Sequence, residues 1–206
     1  AGKSRLLYEF SRRVEESGAL SLEGSGVSFG ASIPYGPILD LLQRYLGVGE
    51  GLTGDELRTF VTDRLSALGL AGEETAVLLA HFLGASAPRE FLERLSGAEL
   101  KARTFGVLRD ILLGAGRSTP VVLIVENAHW FDPSSGEFLA YLAAALADHP
   151  VLLVVSARPG FSAAWLAPPL ASTLRVECLH SDDMQTMVRA LLGAAPSHEV
   201  CGGLID

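Results

Sequence analysis

The sequence predicts an α/β fold, a parallel sheet with helices on both of its faces. Three observations carry this expectation. "PVVLIVE" (120–126) and "PVLLVVSARP" (150–159) are short aliphatic runs of the kind found in strands buried on both faces. They alternate with segments whose apolar residues recur at helical spacing, and strands separated by helices pair in parallel. Gly2-Lys3-Ser4 stands directly ahead of the first such segment, and it matches the end of a phosphate-binding loop, G-x-x-x-x-G-K-[ST].

The elements follow in order. "KSRLLYEFSRRVEES" reads as a helix with Leu6, Leu7, Phe10 and Val14 on one face. "GALSLEG" (18–24) alternates weakly and reads as a short strand. "SIPYGPILDLLQRYLGV" gives a Pro-Gly turn and then an amphipathic helix from about Pro37, with proline tolerated in the first turn. From 53 to 116 the pattern is helical almost throughout. Thr53 to Glu56 and Ser96 to Glu99 both read as capping boxes. After the strand at 120–126, a helix over 132–148 starts from Asp132 as N-cap. "TLRVECL" (173–179) is a third candidate strand, and 181–193 reads as a capped helix. The loosest stretch, 160–172, is the best candidate boundary.

Bulk properties narrow the function classes. With 206 residues the chain holds one large domain, or one domain with part of a second. A net charge of −8 argues against a generally nucleic-acid-binding surface. No apolar run is long enough for a membrane span, and no signal-peptide pattern opens the chain. Cys178 and Cys201 read as reduced thiols of a cytoplasmic protein, and neither they nor the five histidines show metal-ligand spacing.

Few residues remain to carry chemistry. There are two lysines, Lys3 and Lys101, so a chance G-K-[ST] is rare: about 0.03 such matches are expected from this composition. In a phosphate loop the lysine meets the β- and γ-phosphates and the Ser/Thr hydroxyl meets Mg²⁺, while the helix N-terminus faces the anion. The alternative is a solvated lysine beside a capping serine. Glu126 ends the first aliphatic strand, where nucleotide hydrolases need a carboxylate for Mg²⁺. Its alternative is a plain strand end. Arg158 follows the second strand, where a guanidinium can read a terminal phosphate or merely solvate the chain.

Together these residues resemble one family. "AGKSRLL", "ENAHWFDPSS" and "VVSARP", in this order, resemble the AAA-like, P-loop ATP-binding module of the signal-transduction ATPases with numerous domains. That module occurs in large LuxR-type transcriptional regulators and beside cyclase or kinase domains. "SFGASIPYGPILDLL" and "ARTFGVLRDILL" add to the likeness, which runs over nearly the whole chain. Its most specific element is the acid-x-x-His-Trp-x-Asp pattern from Glu126 to Asp132.

The resemblance implies a P-loop NTPase core over 1–160, with a long helical insertion before the Walker B strand. It implies the last core strand and the start of a helical lid over 161–206. Gly2, Lys3, Ser4 and Arg5 would bind nucleotide as the end of Walker A. Ser4 and Glu126 would hold Mg²⁺, with Glu126 the first Walker B acid. Glu126, Asn127 and Arg158 would form the catalytic set, Arg158 as sensor. His129 and Trp130 match the pattern, and for Trp130 packing is the favoured role. The expected cofactors are ATP and Mg²⁺. The expected partners are effector domains of a longer chain (DNA-binding, cyclase or kinase), with no membrane and no direct nucleic-acid contact by this segment. Homo-oligomerisation stays open.

Three departures temper these implications. Asn127 stands where the family carries a second acid, and asparagine cannot accept a proton at neutral pH. Mg-ATP binding through Glu126 is therefore implied more firmly than hydrolysis, and a non-hydrolysing scaffold that docks partners is the alternative. The family's first strand and the head of its phosphate loop would precede Ala1, and its lid would run on past Asp206. A sheet missing that central strand has two unpaired edges, which predicts marginal folding of this polypeptide alone. A small-molecule kinase ranks lower, because no acceptor-binding constellation is visible.

Overall fold

A computed structural model describes residues 2–28, 34–49, 51–166 and 171–177, together with 183 and 186. The chain divides into two compact units, Glu9–Ser172 and Ala1–Tyr8 with Thr173–Asp206.

The larger unit is α/β. Among the described residues its three strands are β1 (Leu20–Ser25), β2 (Val121–Glu126) and β3 (Val151–Val155). All pair in parallel in the order β1-β2-β3, with Leu22 opposite Leu123 and Leu123 opposite Leu153. The middle strand shows why the aliphatic run is continuous. Val121, Leu123 and Val125 point to one face and Val122 and Ile124 to the other, and all five are buried. Both faces of β2 are therefore covered, as the sequence predicts.

The first helix, α1 (Lys3–Glu16), ends at Gly18, which takes φ +82°. The Ala19 N–H donates to Val14 O and the Gly18 N–H to Glu15 O, a Schellman termination. That closure delays the strand, so β1 begins at Leu20 rather than at 18. The second helix, α2 (Gly36–Leu46), lies against β1 so closely that a Cβ on Gly24 would sit 2.1 Å from Pro37 O. Only glycine fits there.

Four helices fill the stretch predicted as helical: α3 (Gly54–Ala67), α4 (Glu73–Phe82), α5 (Arg89–Glu93) and α6 (Gly97–Ala115). Leu57, Val61 and Leu65 of α3, Leu79 of α4 and Leu108, Ile111 and Leu112 of α6 belong to the same buried cluster as Val121, Leu123 and Val125 of the sheet. The last long helix, α7 (Pro133–Ala143), adds Phe138, Leu139 and Leu142 to it.

Three expectations need correction. The capping box at Ser96 forms, with Glu99 N–H donating to Ser96 Oγ and Glu99 Oε2 accepting from Ser96 N. The one at Thr53 does not: Thr53 is the N-cap but makes no side-chain cap bond. Gly54 enters its helix at φ +53°, a left-handed step that Gly97 does not take. The helix expected to reach 148 stops at Ala143. There Ala145, Leu146 and His149 N–H groups bond three residues back, and these tight turns bring the chain round to β3. The third candidate strand, 173–179, is irregular over 173–177, and its last two residues lie outside the described ones. Of the helix expected at 181–193, residues 183 and 186 are helical and the rest lie outside as well. So do Cys178 and Cys201.

Candidate functional site

The carboxyl edge of the sheet gathers the chemistry-bearing residues of the larger unit. In an open parallel sheet this edge is where ligands bind, because the connections to the following helices diverge there. Glu126 is the last residue of β2, half-buried, with its carbonyl accepting the Gly26 N–H at 2.8 Å. Ser25 ends β1 directly opposite it.

Asn127 then turns the chain. It adopts φ +60°, ψ +44°, a left-handed conformation that asparagine tolerates better than most residues. Its backbone N–H donates to Ser156 Oγ at 3.3 Å, and its side-chain amide donates to Ser25 Oγ at 3.3 Å. Asn127 therefore ties together the ends of all three strands. A Cβ on Gly26 would lie 2.7 Å from Asn127 O and 3.1 Å from the Phe131 ring, so glycine is needed for this close approach.

The turn places a single 3₁₀ turn, Ala128–Trp130, beside the end of β3. The Ser156 N–H donates to Val125 O at 3.0 Å and the Ala128 N–H donates to Ser156 O at 2.8 Å. The segments after β2 and β3 thus run side by side, and Arg158 comes to lie over the Trp130 ring, 5.1 Å from its centroid. The other neighbour of Trp130 is His129, whose ring lies 4.6 Å away.

Asp132 locks the far side of the edge. It is buried and caps α7, its Oδ1 accepting the Ser135 N–H at 3.0 Å. Its Oδ2 accepts the Ser135 hydroxyl and also, at 3.1 Å, the N–H of Tyr35, the left-handed residue that opens α2. The sequence marks Asp132 as a cap, but nothing in it signals the bond to Tyr35, which spans most of a hundred residues. A cavity of about 260 Å³ lies between the end of β1, the start of α2 and Trp130, with Val27, Leu39 and Asp40 in its walls.

Glu126, Asn127 and Arg158 thus share one sheet edge, with Ser25, Ser156 and Trp130 as residues that sequence reasoning did not assign to it. Gly2, Lys3, Ser4 and Arg5 fall in the smaller unit. Gly2 takes φ +60° and its carbonyl accepts the Leu6 N–H at 2.9 Å, so Lys3, Ser4 and Arg5 form the first turn of α1. Lys3 is half-buried and Ser4 and Arg5 are exposed, with the Arg5 guanidinium 5.5 Å from the Tyr8 ring centroid.

The residues at the sheet edge fit a hard cation held loosely. The Glu126 carboxylate offers such an ion oxygens, while the Ser25 and Ser156 hydroxyls beside it already accept from Asn127. Among the described residues no group of three or more His, Cys, Asp or Glu could hold a metal. One carboxylate with few protein ligands suits Mg²⁺, which keeps waters and takes substrate oxygens.

The sequence model of the AAA ATPase domain family matches residues 1–155. The chain belongs to that family. Its three-stranded parallel sheet with flanking helices agrees with that membership, which places it among nucleotide-binding ATPase domains. It is also 27% identical, over 189 residues, to an uncharacterized protein of Rhizobium meliloti (strain 1021). That match covers 92% of this chain and 18% of the relative, so the chain spans under a fifth of the relative's length. No solved structure matches the chain. Among the described residues no helix is long and apolar enough to cross a membrane.

Proposed function

We propose that this AAA ATPase domain is an ATP-binding switch module of a multidomain bacterial regulator. The observation that carries the reading is Glu126, a carboxylate at the carboxyl end of the fully buried middle strand in a chain of this family. In this reading Gly2, Lys3, Ser4 and Arg5 cradle the phosphates at the start of α1, where the helix dipole favours an anion. Glu126 holds Mg²⁺ through the ion's water shell. When bound, the ion neutralises charge on the phosphates. Arg158 reads the terminal phosphate, whose presence or loss biases the conformation passed to effector domains.

Asn127 decides between two forms of this function. Its amide carries no basic site, and the structure engages it with Ser25. That observation favours a module that holds ATP and hydrolyses it slowly, if at all, and so acts as a nucleotide-dependent docking scaffold.

The test is equilibrium binding of Mg-ATP by the natural full-length chain that carries this sequence. Lys3→Ala should weaken binding at least tenfold, and Glu126→Gln should abolish the gain in affinity that Mg²⁺ provides. Wild-type affinity in Lys3→Ala would end the ATP reading. Turnover that disappears in Glu126→Gln would favour the ATPase form over the scaffold.

A further inference from the structure

We propose that Trp130 is the positioning residue for Arg158, its indole face holding the guanidinium where a terminal phosphate would meet it. This inference rests on the nucleotide reading of the sheet edge and extends it to a residue that packing alone would otherwise explain.

Two parts of the structure converge on Arg158. Its backbone is fixed by a turn: the Phe161 N–H donates to Arg158 O at 3.2 Å across Pro159 and Gly160, with Gly160 at φ +89°. Proline at the second position and a left-handed glycine at the third make this a type II turn. Proline also restricts the residue before it to extended conformations. The backbone of Arg158 thus has little freedom, and what remains is in a long side chain.

Trp130 restrains that side chain. The guanidinium carbon lies 5.1 Å from the ring centroid, within cation–π range, and tryptophan is the best aromatic partner for a cation. Arg158 is exposed and forms no ion pair with a carboxylate among the described residues, so the ring is the contact that orients it. Trp130 in turn is set by its 3₁₀ turn, whose first N–H is bonded to Ser156 O on the Arg158 side. The turn that carries the ring is therefore tied to the chain that leads into Arg158. An arginine already placed loses less freedom when it bonds a phosphate, which favours the ligand with the extra phosphate.

The experiment measures the ratio of Mg-ATP to Mg-ADP affinity in the full-length protein for wild type, Trp130→Phe, Trp130→Ala, Arg158→Ala and the double variant Trp130→Ala/Arg158→Ala. Trp130→Ala should lower the wild-type ratio about two- to fivefold, the worth of an exposed cation–π contact. Trp130→Phe should restore part of it. In the Arg158→Ala background the tryptophan should make no further difference, which a merely structural role would not produce. ADP affinity and thermal midpoint serve as controls for folding.

A readout without nucleotide separates this inference from the reading beneath it. In the free protein the ring current of Trp130 should shift the Arg158 side-chain protons upfield, and Trp130→Ala should remove the shift. If wild type shows the shift but does not prefer ATP over ADP, the nucleotide reading fails. If wild type prefers ATP and Arg158→Ala removes the preference while Trp130→Ala keeps it, the positioning role of Trp130 is overturned.

Discussion

Asn127 carries a conformation as well as a side chain, and the two can be separated by substitution. At φ +60° a Cβ crowds the backbone, and asparagine tolerates this while alanine does not. Its amide also bonds Ser25 Oγ. Asn127→Ala loses both, and should lower stability by about 1–2 kcal/mol. Asn127→Gly loses the bond but relieves the strain, so it should fall between the alanine variant and wild type. Urea midpoints give the order. An alanine variant as stable as the glycine variant would mean the left-handed turn is not under strain. The position was legible in the sequence as a departure from a family pattern, but its left-handed turn and its hold on Ser25 were not. Both depend on β1 ending beside β2, a pairing between residues about a hundred positions apart.

Asp132 and the two serine- or threonine-led boxes show what a local pattern can and cannot predict about an element. A capping box at Ser96 and an N-cap at Asp132 were legible because the bonds lie within one helical turn. Thr53-Gly54-Asp55-Glu56 has the same pattern, and a left-handed Gly54 defeats it. A glycine leaves that choice to the surroundings, and sequence periodicity carries no record of it. The Ser96 box should be visible in pH dependence. The backbone and side chain of Ser96 hold the Glu99 carboxyl below its ordinary value. A depressed acid contributes stability above its unfolded pKa and loses it as pH falls through the lower folded value. Ser96→Ala should therefore destabilise the protein at neutral pH and narrow its gap to wild type as the solution is acidified. An unchanging gap would remove Glu99 from the box. Asp132 makes a sharper demand, because one carboxylate serves Ser135 of α7 and Tyr35 of α2. Asparagine is ordinarily as good an N-cap as aspartate. Here its NH₂ would face the Tyr35 N–H or, with the amide flipped, the Ser135 N–H, leaving a backbone donor without an acceptor. Asp132→Asn should cost about 1–3 kcal/mol in chemical denaturation, comparable with Asp132→Ala. A neutral asparagine variant would show that the link to α2 contributes nothing.

Within Glu9–Ser172 the helices α2, α3, α4 and α6 and the sheet share one apolar core. The sequence made the insertion legible as helices, since each carries apolar residues at helical spacing. It did not show whether those helices pack among themselves or on the sheet, because periodicity marks a buried face without naming its partner. The structure answers with one continuous buried cluster: Leu65 of α3 and Leu123 of β2 belong to it, and Phe131, next to Trp130, packs against it. A shared core predicts shared unfolding, because a cavity anywhere in it is felt by every element that depends on it. Leu65 is 1% exposed, and Leu65→Ala should cost about 2–5 kcal/mol. Trp130 can report on this from the sheet edge, with Trp165→Phe removing the chain's other tryptophan. Leu65→Ala should then lower the urea midpoint seen by Trp130 fluorescence as much as that seen by far-UV circular dichroism. A fluorescence midpoint that stays at the wild-type value while the circular dichroism midpoint falls would mean that α3 to α6 unfold as a separate unit. The sheet edge bearing Glu126 and Arg158 would then owe its stability to the strands, α2 and α7.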